Sequence, residues 1–284
     1  MALASVHPSD GTTTLLLERE AQVAALRALA DAAQSGVGRF VVIEGSAGIG
    51  KSRLLAEARA VAASAEMRVL AARGGELEGE FAYGIVRQLF EPLLASVSPD
   101  LRAELLSGPA ALIGRIFGAS RLDGFQDAPA EGSFAILHGL YWFAANAAFQ
   151  QPTLLAIDDL QWADTPSLRW LLYLTRRLEG VPLLVVAATR PPEAEGLDPT
   201  LVAELIADPQ AAAVRPEPLG RASIAVLARE LHSLEPDEAF CAVLDEATGG
   251  NPLFVVAILD AFAREGTSPT AENASRLLEI GAQG

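Results

Sequence analysis

The segment Gly45-Ser46-Ala47-Gly48-Ile49-Gly50-Lys51-Ser52 constrains this chain more than any other, because it fits the pattern G-x-x-x-x-G-K-[ST] and sits where a strand should give way to a helix. Phe40-Val41-Val42-Ile43-Glu44 before it is short, apolar and β-branched, and Ser52 to Arg59 after it has helical spacing. Glycines at 45, 48 and 50 open backbone conformations closed to other residues, so successive N–H groups can converge on one anion at a helix N-terminus. Lys51 is the one lysine among 284 residues, and arginine supplies the other 20 of the 21 basic side chains. A compact ammonium is kept where a cation must thread a ring of N–H groups to reach phosphate oxygens. The ligand implied is a nucleoside triphosphate, with Lys51 on its β- and γ-phosphates and the Ser52 hydroxyl on Mg²⁺.

Composition narrows the partners. A chain that is 51% hydrophobic and 20% charged has ample material for a core, and 284 residues suit one large or two modest domains. A net charge of -15 argues against direct nucleic-acid binding by these residues, since that affinity comes from Lys and Arg neutralising phosphates. The single cysteine, Cys241, lies in an apolar helical pattern and reads as a packed thiol. The N-terminal residues have neither the basic flank nor the apolar stretch of a signal peptide, and the most apolar run, Ala135 to Phe149, is too short to span a bilayer. A cytoplasmic location without membrane contact is the expectation. His7, His138 and His232 lack metal-ligand spacing.

Strand-like and helix-like segments alternate along most of the chain. Helices are expected at 16 to 34, Tyr83 to Leu94, Leu101 to Phe117 and Ser133 to Phe149, with a loop at Gly118 to Gly132. Strands are expected at Arg68 to Ala72, Thr153 to Ile157 and Val181 to Ala188. This alternation predicts an α/β fold, a parallel sheet flanked by helices whose ligands bind beyond the carboxyl ends of the strands. Past Pro218 the strand signal stops, and Ala222 to Leu231, Asp237 to Ala247 and Pro252 to Arg264 read as three amphipathic helices. The expected organisation is an N-terminal segment (1–37), a phosphate-loop core (38–218), an all-helical lid (219–266) and a linker or truncated tail (267–284) with a weak helical pattern at Ala274 to Ile280.

Chemistry gathers at the predicted strand ends. Two acids, Asp158 and Asp159, follow the run ending at Ile157; beside a phosphate loop, Asp158 can hold the Mg²⁺ and Asp159 can orient the attacking water. The next strand ends in Thr189-Arg190, a pair able to face a γ-phosphate, and it runs into Pro191-Pro192. Arg176 and Arg177 close the intervening helix, where cations suit the dipole. Asp164-Thr165-Pro166 reads as an N-cap and first turn, and Trp162 as packing. Thr248-Gly249-Gly250-Asn251-Pro252 reads as a helix stop followed by a helix start, and its proline could also lie against a flat base.

In this order the pieces resemble the signal-transduction ATPases with numerous domains (STAND), and specifically the ATPase module of large ATP-binding LuxR-family transcriptional regulators. The resemblance covers roughly residues 14 to 265 and lies in LEREAQVAALRALA (17 to 30), GSAGIGKSRLL (45 to 55), ELEGEFAYGIVRQLFEPLL (76 to 94), LLAIDDLQWADTPSLRWL (154 to 171), LLVVAATRP (183 to 191) and TGGNPLFV (248 to 255). It implies a P-loop NTPase fold of the ASCE/AAA-like type. It further implies ATP or ADP held by residues 45 to 52 with Arg53 beside them, Mg²⁺ on Ser52 and Asp158, and Arg190 as γ-phosphate sensor. Pro252 is implied as the adenine-contacting proline of a G-x-P turn. Arg19, offered for the adenine side, follows Glu18 where many relatives carry glycine.

Function by resemblance is a slowly hydrolysing, nucleotide-dependent switch with a protein partner or self-association. No helical-repeat sensor and no helix-turn-helix is read before Gly284, so contact with DNA is expected only through a domain outside this stretch. Two other readings stand beside it: a nucleotide-binding scaffold without hydrolysis of its own, and a phosphotransferase using the same loop.

Overall fold

A computed structural model describes residues 15–77, 81–115, 130–191 and 196–273. The first 14 residues, residues 116–129 of the helix and loop expected around Phe117 and Gly118, Pro192 and the helical pattern from Ala274 lie outside the described residues. The chain divides into two compact units, Gln22–Gly45 with Leu54–Arg215, and Met1–Ala21 with Ser46–Arg53 and Pro216–Gly284.

The larger unit is built on five parallel strands in the order β2-β3-β4-β1-β5. These are β1 (Arg39–Glu44), β2 (Arg68–Arg73), β3 (Thr153–Asp158), β4 (Leu183–Thr189) and β5 (Ala211–Val214). Parallel strands covered on both faces read as unbroken apolar runs rather than alternating ones. Phe40, Val41, Val42 and Ile43 of β1 are fully buried, as are all seven residues of β4. Polar residues are kept to the strand ends. In register, Arg73 faces Asp158 and Glu44 faces Thr189, so the carboxyl ends of four neighbouring strands place their polar side chains along one edge of the sheet.

Among the described residues, seven helices surround or connect these strands: α1 (Glu20–Gln34), α2 (Lys51–Ser64), α3 (Gly84–Ser96), α4 (Pro99–Leu105), α5 (Ala130–Gln150), α6 (Thr165–Thr175) and α7 (Pro199–Ala207). The core of this unit centres on Phe90 of α3, which meets Phe143 of α5 and Trp170 of α6 edge-on at centroid distances of 5.0 and 5.7 Å. Helix α5 is strongly apolar, and the burial of Leu140, Phe143, Ala144 and Ala148 against this core accounts for that. No helix among the described residues is long and apolar enough to cross a membrane.

Four elements differ from the sequence-based expectation. The segment from Leu101 to Phe117 is not one helix: α4 stops at Leu105, and 3-10 turns cover Gly108–Arg115. Gly108 takes φ +60°, and Pro109 has no N–H to continue a helical ladder. The first helix begins at Glu20 rather than at 16 because Glu18 adopts φ 57°, while Leu15 and Leu17 pack on the smaller unit's core. Strand β5 and helix α7 carried no recognised signal; Ala211-Ala212-Ala213-Val214 is partly exposed and pairs with β1 alone, so alanine suffices there.

The smaller unit holds α8 (Arg221–His232), α9 (Glu238–Thr248) and α10 (Pro252–Glu265) around Ile224, Phe240, Leu244, Leu259 and Phe262, with Phe240 and Phe262 edge-on at 4.9 Å. Gly249 and Gly266 close α9 and α10 at φ 56° and 63°, and the Asp237 carboxylate accepts from Phe240 N at 2.6 Å to open α9. Cys241 is buried in this core, and burial pushes its thiol pKa up, the condition of an inert packed thiol.

One buried acid holds two helix starts of the larger unit. Asp164 caps α6 by accepting from Ser167 N (2.9 Å), and the same carboxylate accepts from Tyr83 N (2.7 Å) and Ile85 N (3.3 Å) at the opening of α3. Tyr83 adopts φ 61°, a conformation that turns its N–H inward. Removing the carboxylate would strand three N–H donors inside the protein. Asp164→Ala should lower the unfolding free energy by about 3 kcal/mol, and Asp164→Asn, which keeps one acceptor oxygen, should cost less. Urea denaturation with an unchanged m-value checks both.

Candidate functional site

In the smaller unit, the glycine loop is tied down by its carbonyls. Lys51 Nζ donates to Ser46 O at 2.8 Å, Asn251 Nδ2 to Ala47 O at 2.8 Å, Leu253 N to Gly48 O at 3.3 Å, and Arg19 Nη2 to Ile49 O at 3.4 Å. Four consecutive carbonyls are thus engaged. Because N–H and C=O of a trans peptide point opposite ways, drawing these oxygens to donors turns the following N–H groups of the loop the other way. Gly48 at φ +79° and Gly50 at φ +99° make the required turns. The residues present suit a phosphate: a lysine ammonium and a glycine loop leading into the N-terminus of α2, where the helix dipole favours an anion. Ser52, in that first turn, is exposed, and Arg53 donates to Leu15 O at 3.3 Å.

Arg19 is buried rather than offered outward. Its guanidinium donates to Glu18 O (2.9 Å) and Glu217 O (2.6 Å) as well as to Ile49 O, and burial lowers its pKa even though Glu18, Glu217 and Glu20 pull the other way. Glu18, where a glycine was the family expectation, accepts from Gly220 N at 3.0 Å and Ser223 Oγ at 2.6 Å. Together Glu18 and Arg19 join the N-terminal segment to the loop and to the start of α8. Asn251 has two roles at once: Oδ1 caps α10 by accepting from Leu253 N (3.1 Å), while Nδ2 holds Ala47 O. Pro252 is half-buried in the first turn of α10. Neither the cap's grip on the loop nor Glu18's double acceptance was legible beforehand, because nothing local to Asn251 or Glu18 names a partner some 200 residues away.

In the larger unit, the acid pair ends β3. Asp158 Oδ1 accepts from Asp159 N at 3.0 Å, and Asp159 turns into the left-handed region at φ 50°, ψ 45°. Both oxygens of Asp159 are engaged. Oδ2 accepts from Arg73 Nε (2.9 Å) and Nη2 (2.8 Å), and Oδ1 from Gln161 Nε2 (3.1 Å). The hydrogen bond to Asp159, then the charges of Asp159 and Asp158, raise the Arg73 pKa further above the ordinary arginine value. Gln88 of α3 fixes Arg73 by bonding both its N–H and its carbonyl (2.9 and 3.0 Å). Gly74 lets this corner close, since a Cβ there would lie 2.3 Å from Asp159 O and 3.0 Å from Trp162 C.

The end of β4 meets the same group of side chains. Thr189 is fully buried; its hydroxyl donates to Arg190 O (3.0 Å) and lies 3.4 Å from Gln161 Oε1, which also accepts from Arg190 N at 3.2 Å. Gly45 N donates to Thr189 O at 3.2 Å, so the start of the glycine loop hangs from this strand end. The Arg190 guanidinium has no ion-pair partner among the described residues. Arg176 and Arg177 are occupied elsewhere, the first by Asp208 and Glu204 and the second over the Tyr173 ring at 3.6 Å. Arg73 and Gln161 were missed by sequence reasoning; a polar residue ending β2 and a glutamine two positions after the acid pair were the available signals.

Residues 15–186 match the family described as AAA ATPase domain, more than half of the chain. The chain belongs to that family. A curated relative, an uncharacterised protein of Rhizobium meliloti (strain 1021), is 30% identical over 265 residues, covering 84% of this chain and 24% of its own length. Among solved structures, the chain is similar to a STAND protein with a tetratricopeptide repeat sensor from Pyrococcus horikoshii (TM-score 0.48, 21% identity, 86% of this chain and 30% of that one). It is also similar to the ORC2 protein of Aeropyrum pernix in ADPNP-ADP complexes (TM-score 0.49, 16% identity, 93% and 68%) and to AMPPCP-bound DnaA of Aquifex aeolicus (TM-score 0.48, 14% identity, 89% and 63%). The chain spans about a quarter of the curated relative it matches.

The two internal glycines of the loop should respond differently to substitution. Gly50→Ala meets no neighbouring atom, so its cost is backbone strain alone, about 1–2 kcal/mol. At Gly48 the new Cβ would lie 2.6 Å from Asn251 Oδ1 and 2.7 Å from Leu253 Cβ, which adds about 1–3 kcal/mol of overpacking to the same strain. Denaturant titration of the two variants checks that Gly48→Ala is the more destabilised.

Proposed function

We propose that this AAA ATPase domain binds ATP with Mg²⁺ and hydrolyses it slowly, serving as the nucleotide-dependent switch of a larger STAND-class, LuxR-type regulator in the cytoplasm. The observation that carries the reading is the glycine loop whose four carbonyls are all drawn to donors, with Lys51 among them. Lys51 takes the β- and γ-phosphates, the loop of residues 45 to 50 wraps around them, and Arg53 flanks it. Mg²⁺, when bound through Ser52 and Asp158, supplies positive charge against the phosphoryl oxygens. Asp159 orients the attacking water and accepts its proton, Thr189 and Arg190 face the γ-phosphate, and Pro252 lies against adenine. Arg19 acts from behind the loop, holding Ile49 O, rather than from the adenine side.

Regulation follows from what the loop's anchors share. Asn251 and Leu253 open α10, so a phosphate that reorders the loop changes the bonds at the start of that helix, and favours one arrangement of the helical segment by its differential affinity. Protein partners or self-association would read that change, and DNA contact would belong to a separate domain.

A second reading, a nucleotide-binding scaffold without hydrolysis, is favoured by one observation: the Asp159 carboxylate already accepts from Arg73 and Gln161 at both oxygens. Two variants separate the readings. Lys51→Ala should abolish ATP uptake by isothermal titration calorimetry on nucleotide-stripped protein; unaltered uptake overturns the proposal as a whole. Asp159→Asn should retain ATP binding within about threefold while single-turnover hydrolysis falls at least about a hundredfold. Hydrolysis equal to that of the unmodified protein would leave the scaffold.

A further inference from the structure

The side chain of Gln161 is almost fully buried, yet it touches neither loop nor core apolar residue by hydrogen bond; its three bonds go to the two strand ends that carry the acid pair and the Thr189-Arg190 pair. Its orientation is fixed by its partners. Arg190 N–H can only donate, so Oε1 must face it, and the Asp159 carboxylate can only accept, so Nε2 must face that. A flipped amide would break both bonds. The residue sits in the 3-10 turn Leu160–Trp162 that follows β3, and its backbone is held as well: Gln161 O accepts from Leu197 N at 2.9 Å. Gly196 leaves room for this approach, since a Cβ there would lie 3.1 Å from the same oxygen.

We infer that Gln161 is a positioning residue for hydrolysis, a rigid amide that transmits the placement of the Thr189-Arg190 strand end to the carboxylate of Asp159. The inference rests on the reading of Asp159 as the water-orienting acid. Three features favour this role over packing alone. A burial-only position would be filled by an apolar side chain, because each buried amide atom needs a partner. The partners found are the side chain of Asp159, at the N-cap of the turn just past β3, and polar groups of Thr189 and Arg190 at the end of β4, so the amide joins two neighbouring strand ends. Finally, the two oxygens of Asp159 are held unlike one another: Oδ2 by the largely exposed Arg73 side chain, and Oδ1 by the buried amide. When Arg190 is drawn toward a γ-phosphate, its N–H carries Oε1 with it, and Nε2 turns the carboxylate in step. The terminal phosphate then determines where the carboxylate points toward water.

Two substitutions separate a positioning role from a structural one. Gln161→Glu keeps an acceptor for Arg190 N–H and Thr189 Oγ1 but has no donor for Asp159; Gln161→Met keeps the volume and removes both functions. If Gln161 only braces Arg190, the Glu variant should hydrolyse ATP like the unmodified protein and the Met variant should not. If it positions Asp159, both variants should lose at least about tenfold in single-turnover hydrolysis while the calorimetric Kd for ATP stays within about threefold. Cooperative thermal melting qualifies each variant; should Gln161→Glu fail to fold, Gln161→Met, which buries no charge, still decides through its Kd for ATP, since loss of the brace on Arg190 would weaken binding by more than about threefold whereas misplacing Asp159 would slow hydrolysis and leave binding unchanged. Single-turnover rates within twofold of the unmodified protein for either folded variant overturn the inference. Failure of the parent reading looks different: the unmodified protein itself would then bind ATP without hydrolysing it, or Asp159→Asn would hydrolyse normally.

Discussion

The bonding of the loop carbonyls from Ser46 to Ile49 is the constraint on which the rest depends. A glycine loop is entropically expensive to order, because glycine loses more conformational freedom than any other residue. Here the ordering comes from four donors of separate origin: a lysine of the loop itself, a helix-cap amide, a backbone N–H of α10 and a buried guanidinium. Each bond contributes on the order of 1 kcal/mol, more where the donor is charged, and together they compensate what three glycines lose. The loop is therefore ordered largely through its carbonyls. That bonding also explains why Arg19 is buried and why Asn251 occupies the cap of α10: both are positioned by the carbonyl they hold.

Much of this was legible in the sequence, and the reasons are local. Strands β1, β3 and β4 announce themselves as short β-branched runs because both their faces are buried, and the loop declares itself by glycine spacing and the lone lysine. The acid pair stood out because two carboxylates cannot be buried inside an apolar strand and must mark its end. The caps at Asp164, Asp237 and Asn251 follow from residue type followed by a helical pattern. What was not legible depends on pairing across the fold. Arg73 looks like the ordinary polar end of an edge strand until β3 places Asp158 beside it. Gln161 looks like a surface glutamine in a turn until β4 closes over it. Strand β5 is invisible because Ala211 to Ala213 have little strand preference, and only β1 beside them makes a strand of them. The break at Gly108-Pro109 was present in the sequence, but the apolar residues on either side kept helical spacing through it.

The two grips on Asp159 differ in strength, and the difference bears on rate. The Arg73 side chain is 73% exposed and that of Asp159 21%, so their ion pair is worth at most about 1 kcal/mol once solvent and side-chain entropy are counted. An interaction of that size delays a carboxylate without locking it. The amide of Gln161 is buried, and breaking its bond would leave an unpaired group in the interior, at a cost of about 1–3 kcal/mol. A carboxylate in this setting releases Arg73 first and retains Gln161. The exposed arginine is thus the adjustable restraint and the buried glutamine the fixed guide. An ATPase that works as a switch has to keep its nucleotide for long periods and still be able to turn it over. On the proposed reading, in which Asp159 orients the attacking water, one weak, solvent-screened restraint set against one strong and directional guide would meet both requirements within three side chains.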